Sequence, residues 1–471
     1  MPGKVYLVGA GPGHPELITV RGVECLKEAD VVLYDRLVHP QILHYTQPNC
    51  ELIFAGKFPK MHVLRQEKIN ELLIEKAMEN KTVVRLKGGD PAVFGRVGEE
   101  ARDLKERNIE FEIVPGITSG IAASTFAGIP VTHREYGETF AIVTGHDKSK
   151  EGKPLIPWQA LAEGMDTIAF YMGIKNLQHN CQQLIQNGKP KETKVAVIQW
   201  GTMGSQQTVT GTLETIVQCV EESNISNPAI VLVGNVVDVR DEVKWFEKKP
   251  LFHQSILVAK ASAESGTLAK ELLRLGADVV EFPKFYFHEK GFSPFEWEKM
   301  IRSFESFVFT SKQSVDVFFN YFYQLHIDIR ELTQQLYVQS MMTKKHLATF
   351  GLHAEMVTES LEDALYFGDE GVLKHPHGWV LFEQKVNKEY TTAITHWLKH
   401  KKYSTVVFPN ERSVQMLMKE KQRANLSIEI DHAFCMGEKA KEAIHQLGLS
   451  SKETNHKETN RFLEEIVRQL T

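Results

Sequence analysis

Short apolar runs that end in glycine recur along the first half of the chain and limit what it can fold into. Lys4-Val-Tyr-Leu-Val8 runs into Gly9, and Thr82-Val-Val84 leads into Arg85-Leu-Lys-Gly-Gly-Asp90. Phe111-Glu-Ile-Val114 runs into Pro115-Gly116. From Phe140 the pattern restarts, and the runs 140–143, 167–172, 194–200 and 229–233 lead into Gly145, Gly173, Gly201 and Gly234. Runs this short read as buried strands. Segments with helical apolar spacing lie between them, for example 19–29 and 67–80. Strands alternating with helices imply a mostly parallel sheet, whose ligands gather at the carboxyl ends of the strands. Glycine at those ends lets backbone approach a ligand, because no Cβ intervenes.

The densest of these stretches is Arg85 to Glu100. Gly88 and Gly89 allow a sharp turn, Asp90 can cap a helix start, and Pro91 suits a first helical position. A tight connection would explain an isolated Gly-Gly-Asp. The stretch is longer than a turn needs, and its arginines, lysine and glutamates point to recognition of an anionic ligand. The first loop, Gly9-Ala-Gly-Pro-Gly-His-Pro15, resembles a dinucleotide fingerprint and fails it. His14 stands where the third glycine belongs, and Pro12 and Pro15 lack the N–H groups that cradle a pyrophosphate. A nicotinamide oxidoreductase is therefore the weaker reading.

Position supplies the other candidates. Asp35-Arg36 ends the run 31–34, and Lys57 comes after the run 52–55, so both fall where a cleft would open. Read singly, Asp35 caps a turn and Lys57 is solvated. Thr118 and Ser119 stand at a helix start, where hydroxyl capping is the default explanation. Arg134 closes Pro130-Val-Thr-His-Arg134, and Met172 lies beside the cleft, where packing is the commoner role.

Composition narrows the partners. A net charge of −5 gives no general attraction to nucleic acid or membrane, so an anionic substrate must be met by local arginines and lysines. Five scattered cysteines without a CxxC fit a reducing cytosol and argue against a disulfide frame or a cysteine-rich metal site. The N-terminus has no signal-peptide pattern, and no apolar run approaches the ~20 residues that span a bilayer. A cytoplasmic protein with no metal is expected.

Periodicity fails across 245–253, which marks a domain boundary. A further α/β pattern begins beyond it, with strands expected at 255–259, 307–311, 336–340, 379–382, 405–408 and 432–435. The polar segment 450–460 reads as an exposed loop before a last helix.

In their order, VYLVGAGPGHPELITVRG, YDRLV, AGK, VVRLKGGDPAVFGRVGEE, VPGITSG, GIPVTHR and YMG resemble the tetrapyrrole methyltransferases, uroporphyrinogen-III C-methyltransferases above all. The resemblance implies an α/β, two-lobed tetrapyrrole methylase domain over 1–245. It implies S-adenosyl-L-methionine, released as S-adenosyl-L-homocysteine, against Pro12, Gly88, Gly89, Asp90, Val93, Thr118, Ser119, Met172 and Gly201. It gives acid–base roles to Asp35 and Lys57, and the tetrapyrrole to Arg96, Glu99 and Arg134. The expected reaction is two methyl transfers to uroporphyrinogen III, giving precorrin-2 on the way to sirohaem or cobalamin, in a homodimer formed through this half.

Residues 254–471 resemble uroporphyrinogen-III synthase in FTSKQSV, KKHLATFG and MGEKAKEAI. That implies a second two-lobed α/β domain, its first lobe discontinuous, which closes hydroxymethylbilane into uroporphyrinogen III. Ser340 stands where a glycine is usual, and Phe408-Pro-Asn410 replaces a second Thr-Ser turn, so a catalytically silent binding module is the alternative.

Overall fold

The computed structural model of the chain describes residues 2–56, 66–145, 155–264, 266–371, 373–449, 451–454 and 459–471. Its first sheet holds β1 (Val5–Gly9), β2 (Val31–Tyr34), β3 (Glu51–Phe54), β4 (Val83–Lys87) and β5 (Phe111–Val114) in the order β3-β2-β4-β1-β5. Every pairing in it is parallel. Both faces are covered, as a parallel sheet requires. Val5, Leu7, Val31, Leu33 and Val83 pack on Ile69, Leu73 and Leu104 of the helices Gln66–Met78 and Val97–Glu106. The alternate residues Tyr6, Val8, Val32, Val84 and Leu86 face the other way.

The second sheet holds β6 (Phe140–Thr144), β7 (Thr167–Tyr171), β8 (Lys194–Gln199), β9 (Gln207–Thr212) and β10 (Ala229–Val233) in the order β6-β7-β10-β8-β9. Only β6 and β7 run parallel; the other pairs are antiparallel. The restart of the pattern at Phe140 is thus not a second parallel sheet. A short connection joins β8 to β9, and a short connection can only return a strand antiparallel. Gln-Thr-Val-Thr-Gly-Thr of β9 is half-exposed, so it carries no apolar run to betray it.

The third sheet is wholly parallel, in the order β12-β11, Thr405–Phe408, His432–Met436, Ser451–Thr454, where β11 is Ser255–Ala259 and β12 is Asp278–Phe282. Ser451–Thr454 is therefore a strand, where polarity had indicated a loop. Contacts divide the chain into two compact units, Met1–Ala261 with Ser265–Pro283 and Lys388–Thr471, and Ser262–Glu264 with Lys284–Asn387. The first three sheets belong to the first unit. Val8, Val84 and Leu86 share one hydrophobic core with Leu257, Val280, Tyr390, Trp397, Val406 and Phe408.

The second unit is one six-stranded sheet, in the order Phe285–Glu289, Gly378–Val386, Ala364–Asp369, Ser306–Phe309, Gln335–Val338, Glu355–Met356. Its core is aromatic, built on Trp297, Phe307, Phe309, Phe318, Phe367 and Trp379.

Candidate functional site

Three glycine loops meet at the carboxyl ends of the first sheet. Gly11 and Gly89 exchange backbone hydrogen bonds of 3.1 and 2.7 Å. A Cβ on Gly116 would lie 2.3 Å from the Gly89 carbonyl oxygen, and one on Gly9 would lie 2.6 Å from the Gly116 Cα. No side chain fits those crossings. Gly89 itself has φ +72° and nothing within 4 Å of an added Cβ, so its open side faces free space. Asp90 ties the loops together, accepting from the amides of Ala92 at 2.7 Å and Gly116 at 2.9 Å.

That free space is a cavity of about 320 Å³. Pro12, Gly88, Gly89, Asp90, Val93, Thr118, Ser119, Met172 and Gly201 all line it, and so do Gly11, Arg36, Tyr171, Ile198, Trp200, Met203 and Ile230. The size falls in the range of small-molecule sites. The loop amides of Ala10, Gly11 and His14 already donate to Lys87 O, Gly89 O and Thr202 Oγ1. With Pro12 beside them, few N–H groups remain to cradle a pyrophosphate.

Tyr171, at the end of β7, was not legible as a site residue. Its hydroxyl lies 2.6 Å from Thr118 Oγ1 and accepts from the Gly120 amide at 2.5 Å. The Thr118 hydroxyl therefore does not cap the helix Ser119–Phe126; Tyr171 satisfies that helix's orphan donor instead. Met172, Trp200 and Thr202 hold φ of +56°, +48° and +74° at the ends of β7 and β8. Non-glycine residues in this region cost of order 1–3 kcal/mol each and cluster at ligand sites. Trp200 and Met203 come just after β8, and the glycine next to Trp200 is the signal that could have marked them.

The charged candidates fall elsewhere. Asp35 lines a smaller recess with Tyr34, Phe54 and His396, and Arg36 lines both that recess and the main cavity. Asp35 Oδ1 accepts from Arg85 Nη2 at 2.5 Å. Arg85 and Lys87 do not offer themselves to a ligand. Both are buried, with Glu100 Oε1 3.4 Å from Arg85 Nε and 2.7 Å from Lys87 Nζ. Burial opposes the Arg85 charge, but Asp35 and Glu100 outweigh it and hold the guanidinium above its ordinary range. Burial, then Arg85, pushes Lys87 down, against Glu100.

Pro91 is not a first helical position. The helix starts at Val97, after Arg96 in a left-handed conformation with φ +58°. Arg96 forks onto Glu99, its Nε 2.8 Å from Oε1, and both line a polar groove between two helices rather than the cavity. Arg134 is exposed in a turn closed by His133 and Gly137, and it does not line the cavity. Lys57 lies outside the described residues. Among the described residues no three His, Cys, Asp or Glu are grouped to hold a metal, and no helix is long and apolar enough to cross a membrane.

Residues 4–217 match the family of Tetrapyrrole (Corrin/Porphyrin) Methylases. A uroporphyrinogen-III C-methyltransferase of Bacillus subtilis (strain 168) is 44% identical over 88% of this chain and 87% of its own length, an alignment that reaches well past residue 245. Another, of Priestia megaterium, is 56% identical over 50% of this chain and 99% of its own. The uroporphyrin-III C-methyl transferase from Thermus thermophilus complexed with S-adenyl homocysteine superposes on 50% of this chain and 100% of its own, at 37% identity and a TM-score of 0.43. The chain belongs to the uroporphyrinogen-III C-methyltransferase family of tetrapyrrole methylases.

Proposed function

We propose that the chain methylates uroporphyrinogen III from S-adenosyl-L-methionine, adding two methyl groups in turn to give precorrin-2. One observation carries this reading: the nine residues assigned to the cofactor by motif line a single cavity in a member of this family. The residues fit the ligand. Gly88 and Gly89 leave room for close approach, Trp200, Ile198 and Ile230 give apolar walls, and the loop needs no phosphate cradle. When bound, the cofactor supplies an electrophilic methyl group on a sulfonium.

The protein's part is to place a pyrrole carbon against that methyl group, which converts a bimolecular encounter into an oriented one. The methylated ring must then lose a proton. Asp35 is the base of this proposal. Arg85 holds Oδ1, which leaves Oδ2 to take the proton. Arg36 faces both recess and cavity and suits a substrate carboxylate. Arg96, Glu99 and Arg134 are proposed to hold the tetrapyrrole, and Lys57 to share the acid–base role with Asp35.

Mass spectrometry of uroporphyrinogen III incubated with the full chain and S-adenosyl-L-methionine tests the reading. Two added methyl groups support it; an unchanged substrate contradicts it.

For the remainder we propose a uroporphyrinogen-III synthase-like domain over 254–471, downstream of a methylase domain over 1–245, that closes hydroxymethylbilane into the methylase substrate. The long B. subtilis alignment and the gain from tethering consecutive steps support it. The silent alternative draws on Ser340 and Asn410, each of which caps a helix. Full chain given hydroxymethylbilane without cofactor separates the two: a type III ring supports synthesis, and type I alone supports the silent module. We further propose a cytoplasmic homodimer joined through the methylase half.

A further inference from the structure

One buried polar cluster in the first unit takes no part in the chemistry above. Asp278, at the start of β12, is almost fully buried. Its Oδ1 accepts from the Tyr403 hydroxyl at 2.9 Å and lies 3.1 Å from His39 Nε2. Lys401 Nζ stands 4.0 Å from Oδ2 and donates to Ser205 Oγ. The same Nζ stands 3.9 Å from the centroid of the Trp200 ring. The Trp397 indole donates to Tyr403 at 2.9 Å, and its ring meets Trp200 edge-on at 6.3 Å. Trp200 lines the cavity and Lys401 does not.

We propose that Lys401, supplied by the C-terminal segment, is a positioning residue for the cofactor cavity that fixes the Trp200 wall. This rests on the methyltransferase reading. A cation over an indole face is the strongest pairing of its kind, and burial strengthens it further. Asp278 makes the buried ammonium tolerable, since an unpaired charge there would be costly. Trp200 needs such support, because a left-handed backbone persists only where its surroundings over-determine it. The P. megaterium relative matches half of this chain over 99% of its own length, so it has no room for both halves. The clamp therefore tunes affinity and is not required for the chemistry.

Burial, against Asp278, lowers Lys401 to about 8, which makes the clamp titratable. Ionisable groups of this cluster are Asp278 from β12, His39 from the segment after β2, Tyr403 on the loop of Lys401, and His14 from the first glycine loop. Asp278 is held low and Tyr403 well above 10, so neither changes charge in the same window.

The test titrates S-adenosyl-L-homocysteine into full-length wild type, Lys401→Met and Lys401→Arg by calorimetry, from about pH 6.5 to about pH 9.5. Wild-type Kd should rise about fivefold to tenfold as Lys401 loses its proton. Lys401→Met should bind that much more weakly at every pH, and Lys401→Arg should bind tightly without a step, because the guanidinium stays charged. A Lys401→Met variant that binds like wild type near neutrality overturns the proposal. So does a step that persists in Lys401→Arg, since it would not belong to Lys401. If Lys401→Met does not fold, the Lys401→Arg profile decides alone. A wild type that binds no S-adenosyl-L-homocysteine at any pH sinks the reading of the cavity, and this proposal falls with it.

Discussion

The first sheet and the sheet of the second unit finish their strands differently. β1, β4 and β5 run into glycines whose backbones touch one another, and a cavity opens beside them. In the second unit, Ser306–Phe309 and Gln335–Val338 run into Ser311 and Ser340. Each serine accepts from the third amide of the next helix, Ser314 N at 3.2 Å and Thr343 N at 3.1 Å. The cores differ in the same sense. Aliphatic side chains fill the first sheet, and aromatic rings, packed mostly edge-on or tilted, fill the other. One sheet gives up side chains at its strand ends and leaves a cavity beside them. The other uses its strand ends to close helices.

Breaking the glycine crossing should have the largest effect. Gly116→Val puts a Cβ where the Gly89 carbonyl stands, and backbone cannot step aside as a side chain would. Binding of S-adenosyl-L-homocysteine should fall below detection by calorimetry, with a stability loss of roughly 3 kcal/mol. Asp35→Ala should act mainly on chemistry, with some loss of stability because the buried Arg85 loses a partner. Turnover should drop about 10²- to 10⁴-fold, as for a lost general base, while cofactor affinity stays within about twofold. If the variant methylates at the normal rate, the base is wrongly assigned.

Acid should also separate the two regions. Burial, then His39 and Lys249, lowers His14 in the first glycine loop to about 4 from an ordinary 6.5. The unfolded chain then binds a proton that the folded chain refuses, so stability falls as pH drops from 6.5 towards 4. The loss is about 3 kcal/mol at one site. His14→Gln should flatten that part of a urea-melting series against pH. The smallest effect belongs to the second unit. Ser340→Ala removes a cap worth about 1 kcal/mol and should leave cofactor binding untouched.

Much of the first region was legible in the sequence because its constraint is steric. A side chain is excluded at Gly9 and Gly116, and a left-handed φ favours glycine at Gly89, so the requirement is written in residue type, and residues that line the cavity could be carried over from the motif. Less legible was what depends on a distant partner. Arg85 and Lys87 look like ligand-binding cations in sequence, yet Glu100 lies one helix turn inside the next element and consumes them. Tyr171 caps a helix some fifty residues earlier in the chain, and no local pattern marks that. β9 offers only Val209 to a core, and Ser451–Thr454 pairs along the edge of His432–Met436. The pairing of Lys401 with Trp200 spans the two halves of the chain and leaves no periodic trace.

The most direct test is a crystal structure of the full chain grown with S-adenosyl-L-homocysteine. The account predicts the ligand in the cavity, its adenosyl and thioether groups lying between Gly88-Gly89 on one side and Met172 with Trp200 on the other, and Asp35 free of contact with it. Ligand bound elsewhere, with that cavity blocked or accepting a nicotinamide dinucleotide instead, would contradict it.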